Sequence, residues 1–255
     1  MSLLRAYYSG AFPELGAEVT LDPAESRHLI RVRRARPGDR VQLLDGLGGV
    51  VSGALVGDAA GLARVRCETL ARHPHPVPRI LAVGLPKGGL LEDIIRQATE
   101  LGATAIQPLL TARTEARFDD PGRLAHKLDR WRAAALEACK QSGNPWLPEV
   151  TAPQTLAVWL TVTCRPGMNW QKFVAALTPS ALSVPDLLAR GALGPTAGAT
   201  GLLLTVGPEG DFTPEEYGRF AGAGFAAVRL PGHILRVDTA CAAALALFAA
   251  QLENF

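Results

Sequence analysis

Two stretches near the carboxyl end carry residues able to approach and hold a small molecule. The first is Gly207-Pro208-Glu209-Gly210, directly after the apolar run Leu202-Leu203-Leu204-Thr205-Val206. Two glycines and a proline force a tight turn, and a residue without a side chain lets the backbone come close to a ligand. The second is the loop Pro231-Gly232-His233-Ile234-Leu235-Arg236-Val237-Asp238, which follows the short apolar run 225–230. Loops beyond the carboxyl ends of strands are where open α/β sheets bind ligands, although the same pattern also suits a plain βαβ unit. A third concentration lies near the amino end. Arg27, Arg31, Arg33, Arg34, Arg36 and Arg40 are opposed only by Asp39. Arginine suits bidentate contacts to phosphate and bases, so the cluster reads as RNA-binding; the plainer reading is a solvated helix face.

These residues need elements to position them. Leu202 to Val206 has the length of a buried strand. Thr213 before Pro214-Glu215-Glu216 is a helix start, with a cap, a proline in the first turn and acids at the positive end of the dipole. Residues 225–230 form a second strand, and a helix begins near Thr239. From Ala240 to Ala250 that helix is apolar on every face, which predicts burial on one side by the domain and on the other by a second copy of the chain.

The amino-terminal part has a different texture. Asp22-Pro23-Ala24-Glu25 is a helix start with the spacing of a capping box. The helix it opens, from Ser26 to Ala35, would put Arg27, Arg31 and Arg34 on one face. Short β-rich runs follow, separated by turns at Asp45-Gly46, Gly48-Gly49 and Gly57-Asp58, a small antiparallel barrel or sheet with one helix. We therefore expect a β-barrel domain over 1–72, a proline-stiffened linker over 73–79 and an α/β domain over 80–255. In the last, residues 80–85, 103–111, 172–177 and 202–206 read as strands, and 90–102 and 127–142 as amphipathic helices. Strands alternating with helices indicate a largely parallel sheet covered on both faces.

The bulk numbers narrow the class. The chain has 255 residues, 48% of them hydrophobic, and a net charge of +2, too small by itself to demand a polyanion. No apolar run reaches membrane-spanning length, and the amino terminus lacks the apolar core of a signal peptide. Cys67, Cys139, Cys164 and Cys241 are scattered without a CxxC pair, which predicts buried thiols in a reducing compartment. His73 and His75 read as part of an exposed strap. The expectation is a cytoplasmic protein with no structural metal and no membrane partner.

Several segments, in order, resemble one family: GLPKG, IIRQATELGATAIQPL, WRAAALEACKQSG with PEV after it, VGPEGDFTPEE and LPGHILRVDTA, with HLIRVRRARPGDRV and LLDGLG before them. Together they resemble the type E ribosomal RNA small subunit methyltransferases of the SPOUT superfamily, over nearly the whole chain. The resemblance implies a PUA-like RNA-binding barrel at the amino end and an α/β domain with a deep trefoil knot. It implies a homodimer that uses S-adenosylmethionine to methylate N3 of one uridine in 16S rRNA of the small ribosomal subunit.

Carried onto this sequence, the cofactor site falls on three loops. One follows Pro108-Leu109. One is Val206-Gly207-Pro208-Glu209-Gly210. The third runs from Leu230 to Ala240, with Ile234 and Leu235 against the adenine and Arg236 beside them. For the chemistry, Arg236 would stabilise charge developing on the uracil oxygens, and Asp238, Glu209 and Glu100 are candidates to position or accept the proton. RNA contacts would come from Arg27, Arg31, Arg33, Arg34, Arg36 and Lys87.

The chain departs from the family pattern in four places. Asp211 stands where GPEGG has its last glycine. Asp238 stands for a longer glutamate. Asn144-Pro145-Trp146 follows QSG where an arginine is usual, and Gly89 and Leu90 replace a basic residue after PKG. These departures leave two alternatives open: a SPOUT methyltransferase with another RNA target, such as a ribose hydroxyl, and a knotted RNA-binding protein without turnover.

Overall fold

The computed structural model describes residues 3–115, 118, 120–165, 167–190 and 200–249. Contacts divide the chain into two compact units. One comprises residues up to His75 together with Leu136–Leu147; the other comprises Pro76–Ala135 together with residues from Pro148 on.

The first unit contains β1 (Leu4–Tyr7), β2 (Glu18–Thr20), α1 (Pro23–Arg27), a π-helical turn (His28–Val32), β3 (Arg40–Leu44), β4 (Gly49–Ala59) and β5 (Leu62–Arg72). The strands run in the order β1-β3-β4-β5-β2. The β1–β3 pair is parallel, where an all-antiparallel unit was expected; the other pairs are antiparallel. β1 and β2 span four and three residues, too short for a period-2 pattern to show. In β5 the alternation is plain: Ala63, Val65 and Cys67 are buried, and Arg66 and Glu68 are exposed between and after them. They pack with Val41, Leu43, Val51 and Leu55 around the fully buried Leu29. The β4–β5 hairpin turns at Ala60-Gly61, both at positive φ (53° and 79°), a geometry that matches the strand twist. The turn expected at Gly57-Asp58 is instead a register shift inside β4.

The helix at Asp22 also differs from expectation. Asp22 caps it, accepting from the backbone N–H groups of Ala24 and Glu25. Glu25 does not close a capping box. It is 7% exposed, accepts from the Tyr7 N–H and pairs at 2.7 Å with the Nζ of Lys140, also 7% exposed. A carboxylate buried that deeply takes the partner that neutralises it. Burial acts to lower the Lys140 ammonium, but the hydrogen bonds it donates to Glu137 and Glu25 outweigh it, so it stands above its ordinary value. The α-helix ends at Arg27, the next turn is π-helical, with the Arg33 N–H bonded to the His28 carbonyl, and Arg34 sits at φ 56°. Arg27, Arg31 and Arg34 therefore do not share an α-helical face. The wider turn lets Leu29, Ile30 and Ala35 all reach the core.

The second unit contains β6 (Arg79–Gly84), α2 (Leu90–Glu100), β7 (Ala105–Leu110), α3 (Pro121–Ser142, which belongs to the first unit from Leu136), β8 (Glu149–Val150), β9 (Gln154–Thr155), α4 (Leu156–Thr163), β10 (Trp170–Ala175), β11 (Leu182–Ser183), α5 (Val184–Ala189), β12 (Gly201–Val206), α6 (Pro214–Gly222), β13 (Ala226–Arg229) and α7 (Val237–Ala249). The sheet order is β11-β13-β10-β12-β6-β7-β8, with β9 on β7, and every pair is parallel. β12 is buried along its whole length, as a central strand covered on both faces must be. On one face Ala82, Val174 and Leu203 pack against Trp159, Phe212 and Phe220. The alternate residues Leu202 and Leu204 turn to the other face, where α7 lies on β6 and β12 and packs against α2.

α7 starts at Val237, two residues before its expected start. It buries Cys241, Ala244, Leu245 and Phe248 within the chain; Thr239 and Ala246 are exposed, and Ala242, Ala243 and Leu247 are half-buried. The burial expected on every face is thus supplied by this chain on one side. Ala250, the last residue of the expected apolar helix, lies outside the described residues. Among the described residues, no helix is long and apolar enough to cross a membrane, and no group of three or more His, Cys, Asp and Glu side chains is placed to hold a metal. Cys67, Cys139 and Cys241 are buried free thiols, and burial pushes Cys139 up to about 12.

Candidate functional site

β12 and β6 end side by side, and their loops touch. A Cβ on Gly84 would stand 2.3 Å from Cδ of Pro208, so only glycine lets the β12 loop cross the end of β6. The backbone N–H of Lys87 then donates to Oε1 of Glu209 at 3.1 Å, tying the loop after β6 to the loop after β12.

Beyond these strand ends lies a cavity of about 340 Å³. Val206, Gly207, Pro208 and Glu209 form one wall, and Leu230, Ile234, Leu235, Arg236 and Ala240 form another. Nine of the expected cofactor positions thus meet around one space. Three do not. Pro108 and Leu109 lie within β7, Leu109 fully buried in the core, and Gly210 stands outside the lining. Three further residues come from Ala175-Ala176-Leu177 at the end of β10, and one from Leu90 in the first turn of α2. The sequence pattern marks β10 as a strand but does not say that it neighbours β12. That adjacency is a property of the sheet order alone.

The polar side chains are few. Arg236 is 80% exposed, with its Nε 3.8 Å from Oδ1 of Asp238. That oxygen is shielded from solvent and makes no hydrogen bond. Glu100 ends α2, ten residues from Leu90, or about 15 Å along the helix at 1.5 Å per residue, and is not in the lining. At the rim, Ile234 is 81% exposed and Leu177 59% exposed.

Asp211, which also lines the cavity, explains itself in the structure. It sits at φ 62°, a conformation natural to the glycine that GPEGG would place there. Its Oδ1 accepts from the Phe212 N–H at 2.8 Å and from the Tyr217 hydroxyl at 2.7 Å. Short polar side chains tolerate this backbone region because they can bond locally. Burial and the bond to Asp211 push the Tyr217 phenol well above its ordinary value, so it remains a donor. Arg113, absent from the sequence reading, donates to the Gly210 carbonyl and packs along that glycine. The next amide, Ala112 N–H, donates to Oε1 of Glu216 at 2.8 Å. The loop after β7 is therefore fastened to the loop after β12, although β7 itself does not line the cavity.

In the first unit, Arg27, Arg31, Arg33, Arg34 and Arg36 are all exposed around the π-helical turn, while Arg40 pairs with Glu68. The segment that replaces the family's arginine is built into the same unit. Trp146 N–H donates to Oδ1 of Asn144, Gly48 N–H to the Pro145 carbonyl, and the Trp146 ring lies 4.7 Å from that of His75.

The chain matches the family described as an RNA methyltransferase domain over residues 73–249, and that described as an RNA methyltransferase PUA domain over residues 21–60. It is 38% identical over 255 residues to a ribosomal RNA small subunit methyltransferase E of Synechocystis, covering 99% of this chain and 80% of the relative. It is 34% identical to the protein of the same name from Mycobacterium tuberculosis, covering 94% of this chain and 88% of that one. Among solved structures, the ribosomal RNA small subunit methyltransferase E of Neisseria gonorrhoeae, bound to S-adenosyl methionine, superposes with a TM-score of 0.83 at 27% identity, covering 98% of each chain.

Proposed function

The chain belongs to the ribosomal RNA small subunit methyltransferase E family of RNA methyltransferases, with a SPOUT α/β domain and a PUA-like domain, and on that footing we propose that it methylates N3 of a uridine in 16S rRNA. It is an S-adenosylmethionine-dependent enzyme, as its relatives are. The observation that supports the site is the cavity beyond β12 and β6. Its walls are mostly apolar, Gly207 lines it with backbone alone, and its volume falls at the lower end of the roughly 300–1,000 Å³ of small-molecule sites. The residues present fit the adenosyl group: apolar side chains for its faces, strand-end amides and carbonyls for its edge. When bound, the cofactor supplies a sulfonium methyl open to attack by a ring nitrogen.

The chain's own residues would do the rest. Arg236, exposed at the cavity, is placed to stabilise negative charge on the uracil carbonyls. Asp238 does not line the cavity; its shielded carboxylate oxygen, 3.8 Å from Arg236 Nε and without a hydrogen bond, suits orienting Arg236 better than holding the N3 proton. Glu209 is occupied by the Lys87 N–H, which suits positioning of the loop better than proton transfer, and Glu100 lies away from the cavity. The exposed arginines of the first unit would grip the RNA backbone. The open flank of α7 would meet a second copy, giving a homodimer.

The test is transfer of a labelled methyl group to small ribosomal subunits that lack the modification, followed by nucleoside mass spectrometry. 3-Methyluridine is expected. Arg236→Ala should cost about 10²–10³-fold in kcat, with a far smaller change in cofactor affinity by calorimetry. A different methylated nucleoside would refute the N3 assignment, and undiminished turnover in the variant would remove the role given to Arg236.

A further inference from the structure

A second cavity, of about 560 Å³, lies on the other side of the Lys87–Glu209 contact. It is enclosed by the loop after β6, the first turn of α2 and the part of α3 that belongs to the second unit. Adjacent residues of α2 divide the two spaces: Leu90 lines the cofactor cavity and Leu91 lines this one. The lining is polar in a particular way. Lys87, Lys127 and Arg130 face it with Glu92 and Glu115, and Trp131 supplies an apolar wall.

The cations are held by ion pairs that water can reach. Lys87 Nζ lies 2.8 Å from Glu115 Oε1, with both side chains mostly exposed (64% and 73%). Arg130 Nη2 lies 2.6 Å from Glu92 Oε1; the arginine is 70% exposed, while Glu92 is only 21% exposed and has Arg96 as a second partner at 4.0 Å. The exposed Lys87–Glu115 pair contributes little to stability, and Glu92 keeps Arg96 as a partner when Arg130 leaves, so exchanging either carboxylate for another anion costs the fold little. The two non-bridging oxygens of a phosphodiester can accept from arginine in the bidentate way a carboxylate does. A cavity of nucleotide size, with replaceable anions on its cations and a wall shared with the cofactor site, has the makings of a place for the RNA strand.

We propose that this cavity is a second RNA subsite that holds the sugar-phosphate next to the reacting nucleotide, with Lys87 and Arg130 exchanging Glu115 and Glu92 for phosphate oxygens. The inference rests on the RNA methyltransferase reading above. It accounts for Lys87 by an exchange of partners and adds Arg130, which no motif pointed to. The acids become competitors of the RNA: they keep the cations extended and paired until the strand arrives.

The experiment measures KM for small ribosomal subunits against salt concentration, with calorimetric affinity for S-adenosylmethionine as the control. Lys87→Ala and Arg130→Ala should each raise KM roughly tenfold and lower the salt slope by about 1, with cofactor affinity unchanged. Glu115→Gln should do the opposite and lower KM, because it frees Lys87. A merely structural pair would lose activity alike from either side. Unchanged KM and slope in both cation variants, in an active wild-type enzyme, would overturn the subsite while leaving the methyltransferase reading intact. An inactive wild type would refute that reading instead. Inorganic phosphate titrated into cofactor-saturated enzyme should give no binding at micromolar concentration; tight binding that Arg130→Ala abolishes would reassign the cavity to free phosphate.

Discussion

Asp211 shows how a single residue can depart from a pattern without breaking it. The turn after Glu209 needs a left-handed residue, which glycine supplies at no steric cost. Aspartate meets the need differently, with one carboxylate oxygen bonded to the following amide and to the Tyr217 hydroxyl. Asp211→Ala should cost about 2–3 kcal/mol, combining left-handed strain with two lost hydrogen bonds. Asp211→Gly, which loses only the bonds, should cost about 1 kcal/mol less, read from urea midpoints. Equal losses would show that the backbone conformation is not what the side chain stabilises. The same residue scale explains Asn144: its side chain accepts from the Trp146 amide and shapes a turn, so the position serves the first unit's architecture.

Among the elements, α6 is the best specified by its sequence and does more than the sequence says. Thr213 accepts from the Glu216 N–H, the cap expected before Pro214, and Glu216 accepts in return from the Thr213 N–H, which closes a reciprocal box. The other oxygen of Glu216 accepts from Ala112 across 104 positions of sequence, and the side chain is 7% exposed. Thr213→Ala should therefore cost about 1 kcal/mol, the ordinary value of a cap. Glu216→Ala should cost about 1 kcal/mol more, because it also removes the long-range hydrogen bond to the Ala112 amide. It should also lower cofactor affinity by loosening the loop after β7, whereas Thr213→Ala should not. Denaturant titration and calorimetry on the two variants separate the local cap from the long-range clasp.

On the scale of the whole molecule, α7 leaves a flank that nothing in the described chain covers. Its inner face is buried against β6, β12 and α2, while Ala242, Ala243, Ala246 and Leu247 keep partial or full exposure. A row of small residues lets a second helix approach closely, so the chain of 26.9 kDa should sediment at about twice that mass. Ala246→Arg places a charge on the open flank and should give a folded monomer with unchanged far-UV circular dichroism. A wild-type monomer at micromolar concentration would remove the dimer. The buried Lys140–Glu25 pair lies within the first unit and joins α1 to the last turns of α3 across 115 positions of sequence.

What the sequence alone determined were features written in neighbouring residues. Short, mostly apolar runs marked β6, β7, β10 and β12, caps and prolines marked α6, and the spacing of GPEG and ILRVD marked two walls of the cavity. Local periodicity carries this information because side-chain direction repeats along an element. What only the tertiary structure decided were the pairings across distance. β10 lies beside β12 and lends the cavity Ala175 to Leu177, while β7 fastens its loop through Arg113 and Glu216 without lining it. Glu25 gave up its cap for Lys140, and the arginines near Arg34 were redistributed by a π-helical turn. In each case the deciding energy was the burial of a charge or an apolar side chain, a quantity set by partners that no local pattern identifies.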